Sequence, residues 1–325
     1  MELLDFFVAG PELAIRSELP FVPGFEPMSP HCLGFAILHP REGRLGTAQA
    51  EWIENRIEVG LSWKCGAETQ ASSELEVFRL LAGVCRKLAP VEILIRDPGP
   101  ESAGAHDALP EHGFRRNQAG RWFLPANLVA PATAKADSME ALYSDPFRVT
   151  WNFEPRPWTL LATFLARLSN TPSARVLDLG CGFGKNSVLL EALGFETHGA
   201  DVADGAIKIC RRWVREADRF QAASIDALPF EADSFDAILD IGCLHCLPAG
   251  LVEPGIAEIA RILRPGGSLT LRALRPRPPE WLAHQAYHVE ALGFSPQQLL
   301  AVLTPRFRVQ VSEDHETIGV HAALR

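Results

Sequence analysis

The sequence predicts an α/β protein: a mostly parallel sheet finished by an antiparallel strand, with a smaller α/β domain ahead of it. Three observations carry this. After Ala174 short apolar runs alternate with amphipathic stretches, the texture of strands joined by crossover helices. One such run, Val176-Leu177-Asp178-Leu179, opens directly into Gly180-Cys181-Gly182-Phe183-Gly184. Residues 128–150, rich in Ala, Pro and small polar residues without a sustained period, read as a linker between domains at 1–127 and 151–325.

The elements after the linker follow in order. Arg175 to Leu179 is expected as a buried strand, Lys185 to Leu193 as a helix closed by Gly194, and Phe195 to Ala200 as the next strand. A glycine just past the last apolar turn supplies the left-handed residue that ends a helix cheaply. Ala206 to Ala217 then reads as a helix, Phe235 to Ile241 as a strand, and Val252 to Leu263 as a helix stopped by Arg264-Pro265-Gly266-Gly267. Ser268 to Leu274 is a strand, Pro296 to Leu303 a helix, and Phe307 to Val311 with Ile318 to Ala323 a closing antiparallel pair.

In the first domain Cys32 to Leu38 and Asn55 to Leu61 read as strands, Ser73 to Leu88 as an amphipathic helix, and Val91 to Ile95 and Arg121 to Leu124 as strands. That order, with Leu109-Pro110-Glu111-His112-Gly113-Phe114 before the last strand, resembles the GCN5-related N-acetyltransferases over about 90 residues. Those enzymes cradle a pyrophosphate on a [QR]-x-x-G-x-[GA] loop before the main helix. Here the stretch reads Gly60-Leu61-Ser62-Trp63-Lys64-Cys65-Gly66-Ala67-Glu68, which departs from it. Without backbone N–H groups presented at a helix N-terminus, pyrophosphate loses its main support. The first domain is therefore expected to be non-catalytic: a cap, a specificity element or a homodimer contact.

Composition narrows the partners. The chain has 325 residues, 31 Lys and Arg against 40 Asp and Glu, a net charge of −9, and 47% apolar residues. Binding to a phosphate backbone is driven by clustered cations, so nucleic acid is not expected. No apolar run approaches the ~18–20 residues that cross a bilayer, so no membrane partner is expected. The opening MELLDFF lacks a basic flank before its apolar residues, and seven cysteines are spread thinly. Both point to a reduced, cytoplasmic setting.

The chemistry is concentrated in Val176-Leu177-Asp178-Leu179-Gly180-Cys181-Gly182-Phe183-Gly184-Lys185-Asn186. Glycines let the turn take dihedrals other residues avoid and let a ligand approach the backbone. Twenty-one residues past Gly180, at the end of the second strand, Asp201 can accept both hydrogen bonds of a ribose diol. Dinucleotide folds usually space their glycines G-x-G-x-x-G and keep an acid away from the pyrophosphate. Asp178 would repel phosphate and favour a cation, and S-adenosylmethionine carries an ammonium and a sulfonium.

On these residues the sequence resembles the class I S-adenosylmethionine-dependent methyltransferases from about Trp151 to the end. Further support comes from Asp226-Ala227-Leu228-Pro229-Phe230 with Asp233-Ser234-Phe235-Asp236, and from Arg261-Ile262-Leu263-Arg264-Pro265-Gly266-Gly267. The resemblance implies a Rossmann-like seven-stranded sheet, S-adenosyl-L-methionine as cofactor with S-adenosyl-L-homocysteine as product, and a small-molecule methyl acceptor. It implies that Gly180, Gly182 and Gly184 line the methionine and ribose portion, that Asp201 holds the ribose, and that Asp226 with the Ala227 backbone faces the adenine. Asp178, Cys181, Asn186, Val202 and Asp240 would belong to the same cofactor site. Val149-Thr150-Trp151-Asn152-Phe153-Glu154-Pro155-Arg156-Pro157 and Asp240-Ile241-Gly242-Cys243-Leu244-His245 look like the thiopurine and tellurite methyltransferases, which mildly favours a sulfur acceptor. Asn152 stands where that group usually has an acid. The [DN]-P-P-[YF] segment of base-amine methyltransferases is replaced by Asp240-Ile241-Gly242-Cys243.

In-line methyl transfer asks mainly for positioning and exclusion of water. His245, where the fourth strand opens onto the crevice, is the candidate base; the alternative is a histidine that anchors its loop. Trp151, Phe153 and Trp158 read either as an aromatic lid or as packing of an entry helix. Arg272, Arg275, Arg277, Trp281, His284, Tyr287 and His288 read either as an acceptor-binding cluster or as a solvated loop, and Arg156 and Arg211 share that ambiguity. Cys243 and Cys246 form a C-x-x-C without a second pair, so no metal is expected.

Overall fold

The computed structural model describes residues 6–17, 32–53, 56–64, 67–88, 92–95, 109–118, 121–125, 136–154, 156–171, 173–278, 280, 293–313 and 316–325. The chain divides into two units, Met1–Ala134 with Asp145–Arg156, and Lys135–Ser144 with Pro157–Arg325.

The first unit holds β1 (Phe7–Ala9), β2 (Ala14–Ser17), β3 (Cys32–His39), β4 (Gly43–Ile53), β5 (Arg56–Trp63), α1 (Ala67–Leu88), β6 (Glu92–Ile95), β7 (Arg115–Arg116) and β8 (Trp122–Leu124). They form one sheet in the order β1-β2-β3-β4-β5-β6-β8-β7. Among the described residues every pairing is antiparallel except β5 with β6, where α1 makes the crossover that parallel neighbours require. Phe35, Ile37, Ile57 and Val59 pack against Val77, Leu80, Leu81 and Val84 of α1, and all are at most 1% exposed. Each such side chain contributes about 1.5–3 kcal/mol by leaving water.

The second unit begins with α2 (Met139–Tyr143), inside the stretch expected to be a linker. Ser138 caps it, its hydroxyl accepting from the Ala141 N–H at 3.1 Å. Then follow α3 (Trp158–Leu168), β9 (Arg175–Leu179), α4 (Ser187–Ala192), β10 (Glu196–Asp201), α5 (Asp204–Trp213), β11 (Phe220–Ala222), β12 (Phe235–Ile241), α6 (Ala249–Ile262), β13 (Leu263–Leu274), α7 (Pro296–Leu303), β14 (Phe307–Glu313) and β15 (Thr317–Leu324). The seven strands run β11-β10-β9-β12-β13-β15-β14, with β15 antiparallel to both of its neighbours. This is the mostly parallel, Rossmann-like sheet with an antiparallel last strand that the sequence led us to expect. Leu177, Leu179, Ile238, Leu239, Leu269 and Leu271 are at most 2% exposed, as strands covered on both faces must be. Gly194 takes φ +93° after α4, and the Phe195 N–H reaches back to the Leu190 carbonyl at 3.2 Å.

The domain boundary differs from the expected one. Residues 145–156 pack with the first unit: Asn152 Nδ2 donates to the Ala9 carbonyl at 2.9 Å, and Phe153 fills the space where a Cβ on Gly83 would lie. The Arg156 guanidinium, 4% exposed, stands 5.9 Å from the Phe7 ring centroid. Trp151, Phe153 and Arg156, expected at the start of the second domain, thus lie in the first unit.

Candidate active site

The C-terminal ends of β9, β10 and β12 and the loop after β11 bring most of the singled-out residues of the second unit to one edge of its sheet. In such sheets the crevice beyond the carboxyl ends is where ligands bind. Between β9 and α4 the chain turns on Gly180, Gly182 and Gly184, with φ of +69°, +52° and +84°. These are left-handed values that side chains disfavour by roughly 1–2 kcal/mol. The N–H groups of Gly180 and Cys181 both donate to the Ala200 carbonyl, at 2.8 and 3.1 Å, tying the turn to the end of β10. A Cβ on Gly180 would lie 2.5 Å from that of Cys243, so the turn and the loop after β12 touch backbone to side chain.

Three buried aspartates stand at this edge. Asp178, 1% exposed, accepts from the Ser187 hydroxyl at 2.5 Å. Burial pushes its carboxyl up to about 7, partly opposed by the Ser187 hydrogen bond and reinforced by the nearby charges of Asp201 and Asp240. Asp201, 7% exposed, accepts from the Gly182 N–H and from the Ala203 N–H, both at 2.9 Å. Burial raises it, against those backbone bonds. With the Val202 N–H as a third backbone donor, part of the carboxylate's acceptor capacity remains for a ligand hydroxyl. Asp240, 1% exposed, accepts from the N–H groups of Cys243 at 2.8 Å and Leu244 at 3.0 Å; burial raises it to about 6. Its oxygens are engaged in shaping the loop that carries His245.

The other expected residues vary. Val202, directly after Asp201, is 60% exposed, an apolar side chain left open at the sheet edge. Asp226 is exposed, bonded to the Ser224 hydroxyl, and the Ala227 N–H closes the turn onto the Ser224 carbonyl at 3.1 Å. Asn186 precedes α4 without capping it, and its Oδ1 is buried with no hydrogen-bond partner among the described residues. Cys181 is buried in the turn beside Cys210, and each sulfur lies close to a neighbouring glycine. His284 lies outside the described residues, as do Trp281, Tyr287 and His288.

His245 sits in a short 3-10 turn, Leu244–Cys246, after β12. Its carbonyl accepts from the Gly293 N–H at 3.2 Å, its ring makes a backbone hydrogen bond with Arg272, and its Nδ1 is buried without a partner among the described residues. Burial, with the charges of Arg272 and Arg277, holds the imidazole down to about 4, so it is neutral at physiological pH.

Two residues of α2 join the site without having been singled out in the sequence. Tyr143, 8% exposed, places its hydroxyl 3.4 Å from where a Cβ on Gly182 would be, and its ring meets Phe183 edge to face at 5.0 Å between centroids. The Glu140 carboxylate accepts from the Gly205 N–H at the start of α5, at 3.1 and 3.3 Å. The available signal was Ser138 followed by an acid in a first turn, the mark of a helix start. Among the described residues no group of three or more His, Cys, Asp or Glu could hold a metal ion. No described helix is long and apolar enough to cross a membrane.

Residues 176–267 match the family model described as "Methyltransferase domain". The second unit carries a class I methyltransferase domain. The chain is 34% identical over 127 residues to a demethylmenaquinone methyltransferase of Clavibacter sepedonicus, covering 38% of this chain and 49% of that protein. It is 33% identical over 149 residues to a fatty-acid O-methyltransferase of Mycolicibacterium smegmatis, covering 44% of this chain and 51% of the relative. The chain thus spans about half the length of these two curated relatives. A solved structure of the Burkholderia thailandensis 1,6-didemethyltoxoflavin-N1-methyltransferase, with its bound substrate and S-adenosylhomocysteine, covers 51% of this chain and 76% of its own at 24% identity and a TM-score of 0.41.

The donor set of the methyltransferase domain fits S-adenosylmethionine. The unpartnered Asn186 Oδ1 and the buried Asp178 carboxylate suit an ammonium, and Asp201 retains acceptor capacity for a ribose hydroxyl. The exposed Val202 offers an apolar face to a base.

Proposed function

We propose that this protein transfers a methyl group from S-adenosylmethionine to a small molecule bound beyond β12 and β13. The observation that carries the reading is the glycine turn locked onto β10 with Asp178 and Asp201 beside it, a pair of buried carboxyls that a cationic adenosyl ligand would draw into their ionised form and that a pyrophosphate would not. When bound, the donor supplies an electrophilic methyl carbon on a sulfonium. The protein's own contribution is positional. Asp201 and Val202 orient the ribose and base, Asp178 and Asn186 hold the ammonium, and Tyr143 covers the turn. His245, neutral, offers a hydrogen-bond acceptor to a protic nucleophile.

For the first unit we infer a role without chemistry of its own. Its strand order, with a single parallel pair bridged by α1, supports kinship with the GCN5-related N-acetyltransferase fold. The departure of residues 60–68 from the pyrophosphate-binding pattern supports a cap, a specificity element or a homodimer contact.

The test is incubation of the full chain with methyl-labelled S-adenosylmethionine and a panel of thiols, thioethers, phenols, fatty acids and amino acids, beside calorimetry with S-adenosylhomocysteine. Label transfer to one class supports the reading, and transfer to a thiol would support the kinship with thiopurine and tellurite methyltransferases. Tight binding of NAD with none of S-adenosylhomocysteine would overturn it. Binding of S-adenosylhomocysteine without any transfer would make the protein a sensor. Binding of acetyl-coenzyme A would revive catalysis by the first unit.

A further inference from the structure

We propose that the molecule accepting the methyl group carries an oxyanion, a carboxylate or its equivalent, and that the Arg272 guanidinium receives it at the carboxyl edge of β12 and β13. This rests on the methyl-transfer reading and names the chemistry of its second substrate.

Arg272 is register partner to Ile241, the last residue of β12, so it stands at the edge where the crevice lies. It is half-buried, and it makes no ion pair among the described residues. Its neighbours in sequence differ: Arg275 pairs with Glu313, and Arg264 pairs with Asp236 at 2.6 Å. A guanidinium withdrawn partly from water and given no counter-charge costs free energy that a ligand anion can offset. Its planar fork suits a carboxylate through two parallel N–H bonds.

No acid at this edge forms an ion pair with Arg272 among the described residues. Asp240 spends both oxygens on the N–H groups of Cys243 and Leu244, and Asp178 bonds to Ser187. His245 adds no negative charge, and Arg277 adds a second positive one in the neighbourhood of its ring. The crevice therefore has two characters, lined by carboxyls at the glycine turn and cationic at the β12–β13 edge. The first favours the adenosyl sulfonium and the second an acceptor of opposite sign. The unpartnered His245 Nδ1 gives the same edge a neutral acceptor atom, buried and without a donor among the described residues. An unfilled acceptor next to an unfilled cation describes a ligand that presents an oxyanion together with an O–H, N–H or S–H.

The experiment titrates benzoate and octanoate, each beside its primary amide, into the full chain with and without saturating S-adenosylhomocysteine. The expected result is saturable carboxylate binding at least about tenfold tighter than the amide. Arg272→Gln should weaken the carboxylate by about tenfold or more, and Arg272→Lys should recover part of it. Arg308→Gln, on an exposed position of β14, serves as the control for non-specific ion binding and should change nothing. Cooperative thermal unfolding of each variant establishes that it is folded. Equal binding of acid and amide, no saturable binding of either acid, or an R272Q protein that binds the acids as the parent does would each overturn the proposal. Failure of S-adenosylhomocysteine to bind would instead overturn the methyl-transfer reading, and the two outcomes are read in separate titrations.

Discussion

The Tyr143 hydroxyl lies 3.4 Å from the point a Cβ on Gly182 would occupy, so a residue of α2 covers the glycine turn of a sheet whose first strand begins 32 residues later. A ring in this position removes water from the turn without blocking the backbone approach that glycine permits. Tyr143→Ala should weaken S-adenosylhomocysteine binding by about tenfold, or ~1.4 kcal/mol. Tyr143→Phe should keep most of the affinity, because the ring supplies the cover. Calorimetry on both variants checks this, and unchanged affinity in the alanine variant would show that the cover is incidental.

The Asp178 carboxyl sets a pH dependence with a definite sign. Burial raises it from the usual carboxylate range to about 7, so near neutral pH the free protein holds a proton that an ammonium or sulfonium ligand would displace. Affinity for S-adenosylhomocysteine should rise between pH 6 and 8, with proton release measurable by calorimetry in buffers of different ionisation enthalpy. Stability moves the other way. A folded-state acid above its unfolded value retains protons that the unfolded chain has lost, so its contribution is complete below about pH 4 and is lost as pH rises through 7. Asp178→Asn removes that loss. Its melting temperature relative to the parent should climb from pH 5 to pH 8, and a pH-independent difference would assign the carboxyl an ordinary acidity.

The parts of this molecule legible in the sequence are those where one residue type answers one physical demand. Phe235–Ile241 and Pro296–Leu303 match their expected bounds because both are apolar runs with sharp ends, and Ser295 and Gln298 form a reciprocal cap on the latter. Strand β11 is only three residues long and carries no period, and β4, Gly43–Ile53, is built largely of small and polar residues. Both take their form from neighbours, which a local pattern does not show. The same holds for α2, whose five residues are stabilised by tertiary contacts such as Glu140 with Gly205. Trp151, Phe153 and Arg156 illustrate the opposite case: their residue types suited an aromatic and cationic lid, yet Phe153 fits against Gly83 of α1 and Arg156 over Phe7. Nothing in their own spacing distinguishes those two destinations.

Two glycines in the methyltransferase domain separate necessity from habit. Gly180 combines φ +69° with a Cβ position 2.5 Å from the Cys243 Cβ, so alanine there is strained in backbone and in space. Gly180→Ala should cost about 2–4 kcal/mol and abolish adenosyl ligand binding. Gly250 sits in α6 with nothing within 4 Å of its Cβ position and no positive φ. Gly250→Ala should stabilise by about 0.5–1 kcal/mol, because alanine narrows the unfolded ensemble and favours the helix. Chemical denaturation of the two variants in parallel checks both signs.

His245 is a neutral acceptor across the working pH range, which distinguishes it from a histidine that switches charge. Burial and the charges of Arg272 and Arg277 hold its imidazole near 4. At saturating donor and acceptor, kcat should therefore show no inflection assignable to this histidine between pH 6 and 8. His245→Ala should lower kcat by about a hundredfold, the low end of what a positioned proton acceptor contributes, with a far smaller change in the dissociation constant of S-adenosylhomocysteine. If the residue only anchors the loop after β12, affinity and turnover will fall together, since Cys243 in that loop abuts Gly180 of the adenosyl-binding turn. His245→Gln separates the two cases further, because its side-chain oxygen accepts a hydrogen bond but is a far weaker base. Recovery of turnover in the glutamine variant would assign His245 to orienting the nucleophile, and continued loss beside normal affinity would assign it to taking the proton.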